Sequence, residues 1–134
     1  MKLLVDHNIS PYLARAVGVV VEPDGHTVIA LKDKFSPDAT DETWIETLGR
    51  EGGWAVLTDD HRIRKNPAER AAWRSARLKG FFLAPGWRKF NTIQKTGRLL
   101  LWWPRLVDAD KQFAEGAVVE LPIGPGSRFR PYMI

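Results

Sequence analysis

Two short apolar runs that each stop on aspartate constrain this chain most: Leu3-Leu4-Val5-Asp6 near the start and Val56-Leu57-Thr58-Asp59-Asp60 near the middle. Apolar runs of this length, bounded by turn signals, read as buried strands, and strands apolar on both sides belong to a parallel sheet covered by helices. In an open parallel sheet the strands end at one common edge, where ligands bind. Both acids therefore point to the same place.

The segments between the runs have helical signals. Ser10 followed by Pro11 supplies an N-cap and a first-turn proline, with Leu13, Ala16 and Val17 as the inward stripe and Gly18 as the expected stop. The turn Asp24-Gly25 leads into a second strand over 26–31, completing a βαβ unit. Residues 32–40 are polar, and a helix is predicted over about 41–48, ended by Gly49 and the later Gly52-Gly53. A third strand follows over 54–58. Asn66-Pro67 with Glu69 resembles a capping arrangement opening a helix to about Leu78, and residues 80–83 make the fourth strand. After Pro85-Gly86 a longer helix carries Ile93, Leu100 and Trp103, with Pro104 expected to kink or end it. Residues 117–121 read as a last strand. The expected architecture is α/β, a mostly parallel sheet with right-handed crossovers and helices on both faces. One domain is predicted over 1–123, followed by a basic, mobile tail over 124–134 that contains Arg128 and Arg130.

Composition excludes several chemistries. There is no cysteine among the 134 residues, so disulfides, thiolate ligands and cysteine nucleophiles are all ruled out, and any metal must rest on oxygen or histidine. The formal charge of +4 favours polyanionic partners, though only weakly by itself. The early Asp6 argues against a signal peptide and the run 99–103 is too short to span a bilayer, so a cytoplasmic protein without a membrane partner is expected.

A third carboxylate can join the two strand-end acids. On the helix starting near Asp41, the residues Trp44, Ile45 and Leu48 define the buried face, and Asp41 lies three and four residues before the first two, so it leans inward. Glu42, rotated by about 100°, points more sideways. Carboxylates crowded at one edge repel each other, and a hard divalent cation such as Mg²⁺ relieves the repulsion while activating water for phosphodiester cleavage. Plainer roles exist: first-turn acids complement the helix dipole, Asp6 can cap a turn, and one of Asp59 and Asp60 can cap its loop. His7 and His61 flank the acids and leave a mixed His/Asp transition-metal site open. Arg62, Arg64 and Lys65 follow the third acid, where a cation can position a scissile phosphate, Arg62 above all. Trp87, Trp102 and Trp103 among Arg88, Lys89 and Arg98 read either as stacking platforms for single-stranded nucleic acid or, more simply, as core or a dimer surface.

Leu4-Val5-Asp6-His7-Asn8, Thr40-Asp41-Glu42 and Val56-Leu57-Thr58-Asp59-Asp60 together resemble a PIN-like nuclease domain, in particular the VapC-type toxins of toxin–antitoxin systems. The likeness spans roughly residues 1–85. It implies a three-layer α/β/α fold and a catalytic, metal-binding trio of Asp6, Asp41 and Asp60, with Thr58 selecting Asp60 over Asp59 as the third acid. It further implies Mg²⁺- or Mn²⁺-dependent endoribonuclease activity. From their positions at the edge, Arg62 is expected beside the reacting phosphate and Asn8, Thr58, Arg64 and Lys65 toward the RNA. Glu42, Asp59 and His7 are secondary candidates. A cognate antitoxin is the implied partner, and a homodimer is possible. Many relatives carry a further acid after the third; here Arg62 and Arg64 occupy that region. Two other readings compete: a receiver-like phosphoacceptor domain, which also places acids after its first and third strands, and a PIN-like binding module that has lost catalysis.

Overall fold

The structure, a computed structural model, describes residues 1–134. Six strands form one sheet in the order β2-β1-β3-β4-β5-β6, with β1 at Lys2–Val5, β2 at Thr27–Ala30, β3 at Trp54–Thr58, β4 at Lys79–Leu83, β5 at Val118–Leu121 and β6 at Arg130–Pro131. All pairings are parallel except the last, β5 with β6. The principal helices are α1 (Pro11–Val21), α2 (Leu31–Lys34), α3 (Asp41–Glu51), α4 (Pro67–Ala76) and α5 (Thr92–Gln112). This is the expected α/β architecture with helices on both faces.

Strand alternation divides the core in two. Leu3, Val5, Ala55, Leu57, Phe81 and Leu83 face α1 and α5, where Leu13, Val17, Trp102 and Leu106 meet them. Leu4, Val56 and Phe82 face α3 and α4, packing with Trp44, Ile45, Leu48 and Trp73. Trp87, Trp102 and Trp103 lie buried in the first of these layers, which assigns them to packing and not to an exposed stacking platform.

Several local signals are overridden by packing. Gly18 does not end α1, which continues to Val21; a Cβ there would stand 2.8 Å from the Val28 carbonyl oxygen, so glycine allows the helix to lie against β2. Gly49 likewise sits inside α3, where a Cβ would meet that of Ala76 at 2.7 Å, and the helix ends at Gly52. Both glycines serve close approach, which sequence alone does not separate from termination. Pro104 lies within α5 without ending it, because Trp102, Trp103, Leu106 and Ala109 on either side are anchored in the core. Ile93, placed on the stripe of that helix, is exposed.

Residues 124–134, expected as a mobile tail, return to the sheet instead. Arg130–Pro131 pair with Val119 and Glu120, Phe129 packs on Trp102, and the buried Tyr132 stacks on Phe82 at 4.3 Å between ring centroids. Arg105 holds the carbonyls of Pro125 and Ser127. The glycines and prolines that read as linker form the bend bringing these aromatic rings back to the core.

Candidate active site at the carboxyl edge

The edge is assembled around Thr58. This side chain is fully buried, donates to Asp6 Oδ2 at 2.8 Å and accepts from the Asp60 N–H at 3.0 Å, so one hydroxyl ties the end of β1 to the loop after β3. Expected at the substrate, Thr58 has no exposed surface to touch one; its contacts make it the link between the two acids. The parallel pairing of β1 with β3, through Val5 opposite Leu57, sets the register that brings them together.

Asp6 is 1% exposed. Its Oδ1 accepts from the His7 N–H at 2.7 Å and lies 2.9 Å from His7 Nδ1. Burial raises the carboxyl above its ordinary value, against the opposing pull of the Thr58 hydroxyl and His7. Asp60, 6% exposed, caps the 3₁₀ turn over His61–Arg64 by accepting from the Arg62 N–H at 3.0 Å. The Arg62 guanidinium grips both its oxygens, Nε to Oδ1 at 2.9 Å and Nη2 to Oδ2 at 3.1 Å. Burial works to raise the Asp60 carboxyl, but the Arg62 contacts outweigh it and hold the group below its usual value. Asp60 thus takes the cap that the sequence left open between Asp59 and Asp60.

The helices contribute from their first turns. Asp41 opens α3 behind the Thr40 cap, half-buried, and accepts from the Trp44 indole N–H at 2.9 Å, which turns it inward as its spacing predicts. Glu42 is exposed. Opposite stands Glu69, in the first turn of α4, and a cavity of about 290 Å³ is lined by Asp41, Asp60, Arg62, Asn66 and Glu69. Burial, a hydrogen bond with Asp41, and the charges of Asp41, Asp60 and Glu42 push Glu69 up to about 7.

Glu69 is the residue that sequence reasoning missed. It read as part of the Asn66 cap, and the acid expected soon after Asp60 was looked for where Arg62 and Arg64 stand. The available signal was its equivalence to Asp41: each is an acid in the first turn of a helix that starts at the carboxyl edge, on the same side of the sheet.

The donor chemistry suits a hard divalent cation, since Asp6, Asp41, Asp60 and Glu69 are all carboxylates, and burial, the hydrogen bond with Asp41 and the neighbouring acids together raise Glu69. The side chains as placed do not close on one point: no three His, Asp or Glu groups take up a metal-holding geometry, and Arg62 occupies Asp60. Beyond these contacts with Asp60, the Arg62 side chain is 83% exposed.

The remaining candidates lie around this centre. Asn8 accepts from the Asp59 N–H at 3.4 Å; Arg64 lies over the Tyr132 ring at 4.9 Å; Lys65 is exposed at the end of the same turn. Asp59 accepts from Arg88 Nε at 3.4 Å and lies 3.8 Å from His61 Nε2. His61 is held between Tyr132 Oη at 2.7 Å and the Leu83 carbonyl at 2.9 Å, which leaves the mixed His/Asp metal site without a free imidazole there.

A family described as PIN like domain matches residues 1–85. No curated protein matches the chain, and no solved structure does. The matched segment is more than half of the 134 residues and contains Asp6, Asp41, Asp60 and Glu69 on a mostly parallel α/β/α scaffold, so this chain belongs to the PIN-like domain family.

Proposed function

We propose that the protein is a metal-dependent endoribonuclease that hydrolyses RNA phosphodiester bonds, acting as the toxin of a toxin–antitoxin pair. The reading is carried by one observation: Asp41, Asp60 and Glu69 line one cavity at the carboxyl edge of a PIN-like sheet, where burial, a hydrogen bond with Asp41 and the neighbouring acids push Glu69 up to about 7. Asp6, Asp41, Asp60 and Glu69 would hold Mg²⁺ or Mn²⁺, which when bound neutralises developing charge and lowers the pKa of an attacking water. Thr58 and His7 keep Asp6 oriented. Arg62 exchanges Asp60 for the substrate phosphate, and Asn8, Arg64 and Lys65 steer the strand. An antitoxin that covers this edge restrains the enzyme, in a cytoplasmic setting; no helix here is long and apolar enough to cross a membrane.

The clamp of Arg62 on both Asp60 oxygens favours a second reading, a PIN-like module that binds without cutting. A receiver-like domain shares the order β2-β1-β3-β4-β5. It leaves Asp41 and Glu69 without a role.

Cleavage of a panel of structured and single-stranded RNAs with Mg²⁺ or Mn²⁺, beside an EDTA control and an Asp6→Asn, Asp60→Asn double variant, tests the proposal. Metal-dependent cutting lost in the double variant is the expected result. Cation binding without cutting supports the binding module, and phosphorylation of an aspartate by acetyl phosphate the receiver.

A further inference from the structure

A second cavity, of about 370 Å³, adjoins the acids between the end of β2 and the start of α3. It is lined by Leu31, Phe35, Pro37 and Trp44, and by His7 and Asp41, which also belong to the acidic edge. Trp44 is buried, whereas Leu31 and Phe35 are only half-buried although both pack on the α3/α4 core layer. Phe35 is fixed in place at the end of α2, its N–H donating to the Leu31 carbonyl at 2.9 Å. Half-exposed apolar and aromatic side chains on a fixed backbone, with Lys32 and Ser36 supplying polar groups, form the kind of concave site that takes a flat organic ring.

What such a ring belongs to follows from the shared residues. A ligand occupying this cavity has its other end beside His7 and Asp41, at the carboxylates proposed to act on a phosphodiester. In a single strand, bases are splayed from the backbone and stack on aromatic side chains. We propose that the cavity receives the base of a nucleotide next to the scissile phosphate, stacked on Phe35, and so contributes to the choice of cleavage site. The assignment rests on the nuclease reading above for its orientation. It gives a role to residues 32–37, which form no part of the acidic site and which the sequence presents only as a polar connection.

The test uses the full chain and short single-stranded RNAs carrying one abasic ribonucleotide at each position in turn, with Mg²⁺ or Mn²⁺. Removing a base at one position flanking the cut should lower kcat/KM about tenfold, the scale of a single base–aromatic stack. Phe35→Ala should lower kcat/KM on the intact strand by a similar factor and make the enzyme indifferent to that abasic position, as expected when both changes delete one interaction. Phe35→Leu, which keeps apolar contact with the core but lacks a ring face, should behave like Phe35→Ala and guards against a folding defect. Fluorescence anisotropy with the same strands in EDTA gives a second readout: binding should weaken about tenfold on the same two changes. If abasic strands are cut and bound like the intact one at every position, the pocket assignment is overturned while the nuclease reading stands. Base-dependent binding lost in both Phe35 variants, without cutting under any metal, would retain the pocket and remove the nuclease. Additive losses in variant and abasic strand show that Phe35 acts through the fold, and neither cutting nor binding removes both proposals.

Discussion

The two helical layers pack against the same strands, yet only one of them opens its helices with acids at the sheet edge. On the α1/α5 side the segments after the strand ends bury Ile9, Ala84 and Trp87 in the apolar core. On the α3/α4 side the even-numbered series leads from Leu4 to Asp6 and from Val56 to Thr58. The helix starts differ in the same sense. The first turns of α1 and α5 carry no acid, whereas α3 opens with Asp41 and Glu42 and α4 with Glu69. Helix N-termini carry partial positive charge, which lowers the cost of gathering carboxylates there. One face thus supplies cohesion, and the other tolerates a concentration of like charge.

The contrast predicts opposite outcomes for stability and activity. Asp6→Asn should lower metal-dependent RNA cleavage by roughly 10²–10³-fold, the scale of losing one preorganised charged group. The same variant should melt no lower than the parent at neutral pH, because an ionised carboxylate raised by burial opposes folding and an amide does not. A lower melting temperature would show that Asp6 holds the fold together and break the contrast. On the other face, Leu106→Ala should cost about 2–5 kcal/mol in denaturant unfolding while leaving kcat of the folded protein unchanged. A drop in kcat at full folding would show that the apolar layer also sets the site.

Thr58→Val keeps the side-chain shape but removes the hydroxyl between Asp6 and Asp60. It should cost about 1–3 kcal/mol, for the unsatisfied groups left behind, and reduce cleavage as well, making it the one position where both faces of the comparison meet. Arg62→Gln should tighten divalent-cation binding, followed by isothermal calorimetry, because Asp60 loses its competing partner, while cleavage falls. Tighter binding with faster cleavage would assign Arg62 to restraint alone.

The smallest effect concerns protons. Folded Glu69 keeps its proton to about 7, and the unfolded group releases it near 4.5, so between these values the folded state binds the extra proton. Stability in EDTA should therefore fall as pH rises through that window, and Glu69→Gln should flatten this slope in thermal melts. Saturating Mg²⁺ should offset the loss above pH 7.

Much of this was legible in the chain. Strand-end acids, the Ser10-Pro11 and Asn66-Pro67 helix starts and the inward spacing of Asp41 from Trp44 all depend on local periodicity and capping, which sequence expresses directly. Gly18 and Gly49 misled because a helix stop and a close helix contact use the same residue, and which applies depends on distant neighbours, Val28 and Ala76. Tyr132 was hidden in a linker-like composition for the same reason: its partners Phe82 and His61 are 50 and 71 positions away.

By itself the sequence determined the α/β alternation, the shared edge of Asp6 and Asp60, the absence of thiol chemistry and a likeness to the PIN-like family that extends over residues 1–85. Tertiary structure alone decided that Glu69 joins the acids, that Thr58 ties Asp6 to Asp60, that Arg62 holds Asp60, and that Phe35 borders a cavity beside them. Periodicity specifies which way a side chain leaves its own element. Which element it then meets is set by strand order and by helices lying side by side, and those are properties of the packed chain.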